Sequence, residues 1–197
     1  VINPYITYLK LCLPIPDGAP EIKSPLSVYF RDLKIALMRE CENALEGLCM
    51  AMKGGHNAES HNHNDIGQLY LYKDGKPVIV DMGAMTYTKK TFSSERYTIM
   101  AMRSLYHSTV TPAGVEQLPG KSSTSSDESF DEQARSVSMQ LKTAYPPEAG
   151  LVDLTRRVTL SDGAVTVNDT VAFEEESTVD IHFLTYDAPS ENPDGSL

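Results

Sequence analysis

Two Asp-Gly pairs, each set between runs that read as strands, limit the folds open to this chain more than any other feature. Asp74-Gly75 separates Gln68-Leu-Tyr-Leu-Tyr72 from Pro77-Val-Ile-Val80, and Asp162-Gly163 separates Thr155-Arg-Arg-Val-Thr-Leu160 from Ala164-Val-Thr-Val-Asn168. A tight hairpin turn needs positive φ at its central residues, which this dipeptide tolerates well, so each pair predicts an antiparallel hairpin. Further strand-like runs are Ser27-Val-Tyr-Phe-Arg31, Leu33-Lys-Ile-Ala-Leu-Met38, Val137-Ser-Met-Gln-Leu141 and Val179-Asp-Ile-His-Phe-Leu184. Strands at short spacing, separated by turns, predict an all-β protein, an antiparallel β-sandwich.

One helix is expected, over residues 94–105, where Tyr97, Met100, Ala101 and Ser104 recur at helical spacing. Residues 122–131 are polar and serine-rich and predict a mobile loop. Residues 1–25 carry Pro4, Pro14, Pro16 and Pro20 without a sustained period and read as a connector from something upstream. The sandwich domain is then expected over residues 26–197. It ends on Pro193-Asp-Gly-Ser-Leu197, a turn that would feed another strand, so the last strands are expected to be lacking.

Composition narrows the function. A chain of 197 residues with 41% hydrophobic content can bury one sizeable core. No apolar run approaches the roughly 20 residues of a spanning helix, so membrane insertion is not expected, and no leader sequence opens the chain. Compartment is therefore left open, with a secreted or periplasmic parent in keeping. A formal charge of −10 argues against a nucleic-acid partner, which needs a basic footprint. Lys89, Lys90, Arg96 and Arg103 nevertheless fall close together and could form a basic patch on an acidic body. Cys12, Cys41 and Cys49 form no Cys-x-x-Cys pair and read as packing residues rather than a disulfide or thiolate-metal framework.

The chemistry concentrates in Gly54-Gly-His-Asn-Ala-Glu-Ser-His-Asn-His-Asn-Asp-Ile-Gly67, where three of the five histidines lie within eight positions. In an extended backbone His61 and His63 would share a face with Glu59 and Asp65. Two imidazoles on one face suit a metal or catalysis; a polar loop whose histidines bond the backbone is the alternative. Asp81 ends the apolar run Pro77–Val80, and His107 interrupts Ser104-Leu-Tyr-His-Ser-Thr-Val110. Two histidines and an aspartate from separate strands form a donor set that suits zinc with an open fourth place. His56 is expected to shape the Gly54-Gly55 turn, His182 to face outward or rest in the core, and Tyr70 and Tyr72 to be ordinary sheet aromatics.

Five ordered blocks, residues 54–67, Gly75-Lys-Pro-Val-Ile-Val-Asp-Met-Gly83, Arg96-Tyr97, Ser104-Leu-Tyr-His107 and Gly114-Val-Glu-Gln117, resemble the C-terminal sandwich of the heparinase II/III-like polysaccharide lyases. The likeness is strongest over residues 54–120 and extends to Ala144-Tyr-Pro-Pro-Glu-Ala149. The resemblance implies β-elimination on an acidic, uronate-bearing glycan. It assigns catalysis to His61 and a mainly structural divalent ion, zinc by its donors, to His63, Asp81 and His107. It also implies a missing N-terminal helical toroid that supplies a Tyr and its partner, so the isolated chain is expected to be inactive. Arg96 and Tyr97 could contact the glycan, since an Arg can grip a carboxylate and a Tyr can stack on sugar, or could be ordinary packing residues.

Two departures from the family pattern fall beside the expected ligands: Ser108 follows His107 where Asn is common, and Met82 follows Asp81 where a small residue or Pro is common. Two other readings stay open at this point. One is a non-catalytic carbohydrate-binding or structural sandwich; the other is a metallohydrolase whose ion activates water.

Overall fold

A computed structural model describes residues 23–43 and 45–196. The expected connector therefore lies almost wholly outside the described residues, as does Cys12. The sandwich is all-β, with no α-helix among the described residues.

Five strands form the first sheet: β1 (Ser27–Phe30), β2 (Ile35–Arg39), β3 (Leu48–Lys53), β5 (Leu69–Lys73) and β6 (Lys76–Ile79), in the order β1-β2-β3-β5-β6. The two-residue β4 (His56–Asn57) lies apart, paired with β8 (Gly120–Thr124). The second sheet runs β12-β11-β10-β9, from β12 (Ala164–Phe173), β11 (Leu151–Ser161), β10 (Ser136–Gln140) and β9 (Ser126–Asp131). β7 (Val110–Pro112) and β13 (Val179–Ile181) form a separate two-stranded pair, and every pairing is antiparallel. Both Asp-Gly pairs turn as expected, with φ of 50° and 71° at Asp74 and Gly75 and of 51° and 72° at Asp162 and Gly163.

Strand alternation builds the core. On β2 and β3, Ala36, Met38, Leu48, Met50 and Met52 face inward, while β11 contributes Leu154, Val158 and Leu160 from the opposite sheet. Burying each large apolar side chain contributes about 1.5–3 kcal/mol relative to exposure. Arg156 occupies an inward position of β11 in the same alternation and is fully buried. Its Nε and Nη2 donate to the two carboxylate oxygens of Asp169 on β12 at 2.7 and 2.8 Å. Its Nη1 donates to the carbonyls of Gly67 (2.8 Å) and Ser108 (2.9 Å), so four bonds satisfy the buried charge.

Two expectations are corrected. Residues 94–105 do not form an α-helix: Arg96–Thr98, Met100–Met102 and Ser104–Tyr106 are single 3-10 turns, and Ile99 and Arg103 between them are extended. The apparent helical period came from short turns repeating every four residues. Residues 122–131 are not a loop either, since most lie in β8 and β9. Ser123 and Ser125 are buried, and the Ser125 hydroxyl accepts from Gly55 N (3.0 Å) and donates to Glu128 (2.8 Å), so hydrogen bonds replace apolar contact along this polar strand.

Gly67, where the histidine segment enters β5, sits at φ +86°, and a Cβ there would lie 2.7 Å from Leu141 Cδ1 in the core. Gly67→Ala is therefore expected to destabilise by about 1–3 kcal/mol through backbone strain and overpacking. Urea denaturation checks this, and an unchanged midpoint would contradict it.

Candidate metal centre and active-site cleft

The three expected ligands arrive on different elements. His63 lies in the loop from β4 to β5, Asp81 just past β6, and His107 at the end of the last 3-10 turn before β7. The fold nevertheless brings one ligand atom from each to within 4.8 Å of the others. The His63 and His107 rings are 5.2 Å apart between centroids, and His107 Nδ1 is 2.6 Å from Asp81 Oδ2.

Hydrogen bonding fixes the chemistry of His107. A carbonyl only accepts, so the contact of Nε2 with Ala101 O at 3.0 Å places a proton on Nε2. Nδ1 then faces the Asp81 carboxylate with its lone pair unless a second proton sits there. Two acceptors at 2.6 Å repel, so this pair calls for a proton or a cation between them. With His63 alongside, the residues fit a divalent cation bound by two nitrogens and one carboxylate.

The ion-free electrostatics agree. Burial pulls the His107 pKa down, but the Asp81 hydrogen bond and charge outweigh it, and the net shift is upward. Burial raises Asp81, yet its bonds to His107 and to Gly83 N leave it below the usual carboxylate range. His63 is lowered, by burial and then by the neighbouring His107.

The segments carrying these ligands are held from behind. Gln117 accepts from Ile66 N (3.0 Å) and donates to Ile66 O (2.7 Å), while its own carbonyl accepts from the Asn64 side chain. Arg156 grips the carbonyls of Gly67 and Ser108, next to the His63 and His107 segments. Ser108 N donates to Gln68 Oε1 (2.5 Å), and the Ser108 hydroxyl accepts from Leu184 N (3.0 Å).

A cleft of 570 Å³ opens beside this centre, lined by Glu59, His61, His63, Asp65 and Asp81 among others. The expectation of an extended histidine segment is not met: Asn62 N donates to Glu59 O, and His61 within that turn has φ +58°. A turn, not strand alternation, aims these groups into one cleft. The His61 ring is exposed, stacks on Tyr87 with centroids 5.9 Å apart, and contacts the Tyr87 hydroxyl through Nδ1 at 3.3 Å. Among the described residues its Nε2 has no protein partner.

Two cleft groups, Lys53 and Tyr70, and the His61 partner Tyr87 were not among the expected site residues. Lys53 pairs with the buried Asp65, and Tyr70 lines the cleft with a phenol pushed well above its ordinary pKa by burial and by Asp81. Both occupy the non-core positions of β3 and β5 at the strand ends nearest the histidines, a place that alternation could have flagged. Tyr87 had no such signal. Arg96 and Tyr97 do not line the cleft: Arg96 donates to Thr91 O (2.9 Å) and Asn62 O (2.6 Å), with its guanidinium 6.0 Å from the Tyr97 centroid. Arg103 forks onto Glu116, which leaves Lys89 and Lys90 as the exposed part of the basic patch. His56 Nδ1 accepts from Ala58 N (3.2 Å), and His182 bonds Thr111 Oγ1 (2.9 Å), so both serve locally.

A family model described as Heparinase II/III-like, C-terminal, matches residues 24–192. The chain belongs to the heparinase II/III-like family. Solved structures similar to this heparinase II/III-like domain include a mutant of the heparan sulfate lyase HepC from Pedobacter heparinus, with TM-score 0.65 and 18% identity over 85% of this chain and 25% of that one. Another is heparinase III, the BT4657 gene product with methylated lysines, with TM-score 0.63 and 17% identity over 91% of this chain and 26% of that one. The domain thus spans about a quarter of the length of these structures, and at such identities the likeness is one of fold. No curated protein matches the chain.

Proposed function

We propose that this heparinase II/III-like domain forms the metal-bearing part of the active site of a polysaccharide lyase that cleaves uronate glycans by β-elimination. The remaining catalytic groups come from a helical domain of the same protein. The observation that carries the reading is the division between two neighbouring histidines: His63 lies against Asp81 and His107, while His61 keeps Nε2 free beside the cleft.

In such an elimination the C5 proton passes to a base, its electron pair closes a C4–C5 double bond, and the C4–O bond breaks with a proton delivered to the leaving oxygen. Negative charge spreads onto the uronate carboxylate along the way, so a donor held against it lowers the barrier. His61, steadied through Nδ1, offers Nε2 for proton transfer or charge neutralisation. Tyr97, proposed from its chemistry as a glycan contact, acts from beside the cleft in this reading. A divalent ion such as zinc, held by His63, Asp81 and His107, would supply fixed positive charge and hold three chain segments together.

The full-length protein should release unsaturated uronate, read by ultraviolet absorbance, from at least one of heparan sulfate, alginate and hyaluronan, while residues 1–197 alone release almost none. Failure on all such glycans would end the lyase reading.

Metal content is expected at one ion per chain, lost in His63→Ala and in His107→Ala. Protons compete with the ion for ligand nitrogens. His107 in the ion-free protein is raised above 6.5, so affinity should begin to fall above that pH on acidification; His63, lowered, contributes only further down. Elemental analysis after dialysis at stepped pH tests both points. Full metal retention in the two variants would remove the site.

A further inference from the structure

His61 stands at the third position of the turn closed by Asn62 N and Glu59 O, with φ +58°, where turns favour Gly or Asn. A residue with a full side chain stays in this left-handed region only when its surroundings hold it there. The carbonyl immediately after His61 is held by Arg96, whose Nη2 donates to Asn62 O at 2.6 Å. The same guanidinium reaches through Nη1 to Thr91 O at 2.9 Å. Thr91 is buried, and its hydroxyl accepts from Thr88 N at 3.0 Å, next to Tyr87. Tyr87 in turn meets the His61 ring.

One guanidinium therefore ties the backbone beneath His61 to the segment that carries its ring partner. The geometry points to Arg96 as a positioning residue, which holds His61 in its left-handed conformation and its imidazole against Tyr87, rather than as a group that grips the glycan. A fork with two donors in a fixed plane suits this bridging of two carbonyls; a lysine could serve only one well. The importance of His61 to catalysis rests on the lyase reading, whereas the clamp itself does not.

Two measurements separate these. In the described chain, loaded with zinc, the His61 ring signals in histidine-labelled NMR should shift or broaden in Arg96→Met, while those of His107 and His182 stay in place. If all histidine signals move because the variant is poorly folded, Arg96→Lys is read in the same way. Unchanged His61 signals in a folded variant overturn the proposal.

In the full-length protein, kcat should fall at least about tenfold in Arg96→Met with KM nearly unchanged, because misplacing a reacting group by about 1 Å can cost up to about 10²-fold. Arg96→Met should add little to His61→Ala, since both act through one imidazole. A rise in KM with kcat intact would instead make Arg96 a glycan contact and overturn the clamp. A His61-specific NMR change in a protein inactive on every uronate would keep the clamp and sink the lyase reading.

Discussion

His61→Ala in the full-length protein is expected to lower formation of unsaturated uronate about 10²-fold or more, the typical worth of one proton-transfer or charge-neutralising group. Metal content and melting temperature should hardly change, because the His61 ring is exposed and touches Tyr87 rather than the His63, Asp81 and His107 cluster. His63→Ala, two residues away, should give the opposite order of events, with metal and stability lost first and activity as a consequence. Loss of metal in His61→Ala, or full activity on the best glycan, would reverse the roles assigned to the two residues.

The second large effect is thermodynamic. Arg156→Met should destabilise the domain by about 3–5 kcal/mol, because it strands the Asp169 carboxylate inside the sandwich and removes the donor to two buried carbonyls. At about 2–4 °C per kcal/mol for a chain of this size, the melting temperature should drop by roughly 6–20 °C. Asp169→Asn should cost a similar amount, and the double variant Arg156→Met with Asp169→Leu should recover part of the loss, since no charge then remains unpaired. A drop smaller than about 2 °C in Arg156→Met would show that the pair is not what joins the second sheet to the ligand segments.

The hairpins and most strands were legible because their signals are local. An Asp-Gly turn or an alternating run such as Ala164-Val-Thr-Val-Asn168 needs no knowledge of the rest of the molecule. The stretch from Arg96 to Tyr106 misled for the same reason: three separate turns place apolar residues at a spacing that a continuous helix would also give. Ser125 looked like a loop residue because composition does not reveal that Gly55 waits across the fold to bond its hydroxyl. In the site, residue chemistry marked His61, His63, Asp81 and His107. Lys53 and Tyr70 carry only the mark of their strand positions, and Tyr87, which carries none, meets His61 only through tertiary placement. Gln117 was visible as part of a motif, but its task of holding the Ile66 backbone appears only in three dimensions.

Five of the largest fully buried side chains are methionines, and four of them share the core between the sheets: Met38, Met50 and Met52 on the first sheet and Met139 on the second. Their flexible thioethers fill an irregular space between two twisted sheets, which makes the interior forgiving of shape but open to a chemical lesion that aliphatic side chains do not share. Oxidation to the sulfoxide would set a polar, chiral group where only apolar contact is available, so a chain that opens in an oxidising medium would have difficulty closing again. Met85 and Met100, both exposed, can be oxidised at the surface at far lower cost to the fold. The order in which these methionines react thus records whether the two sheets have parted.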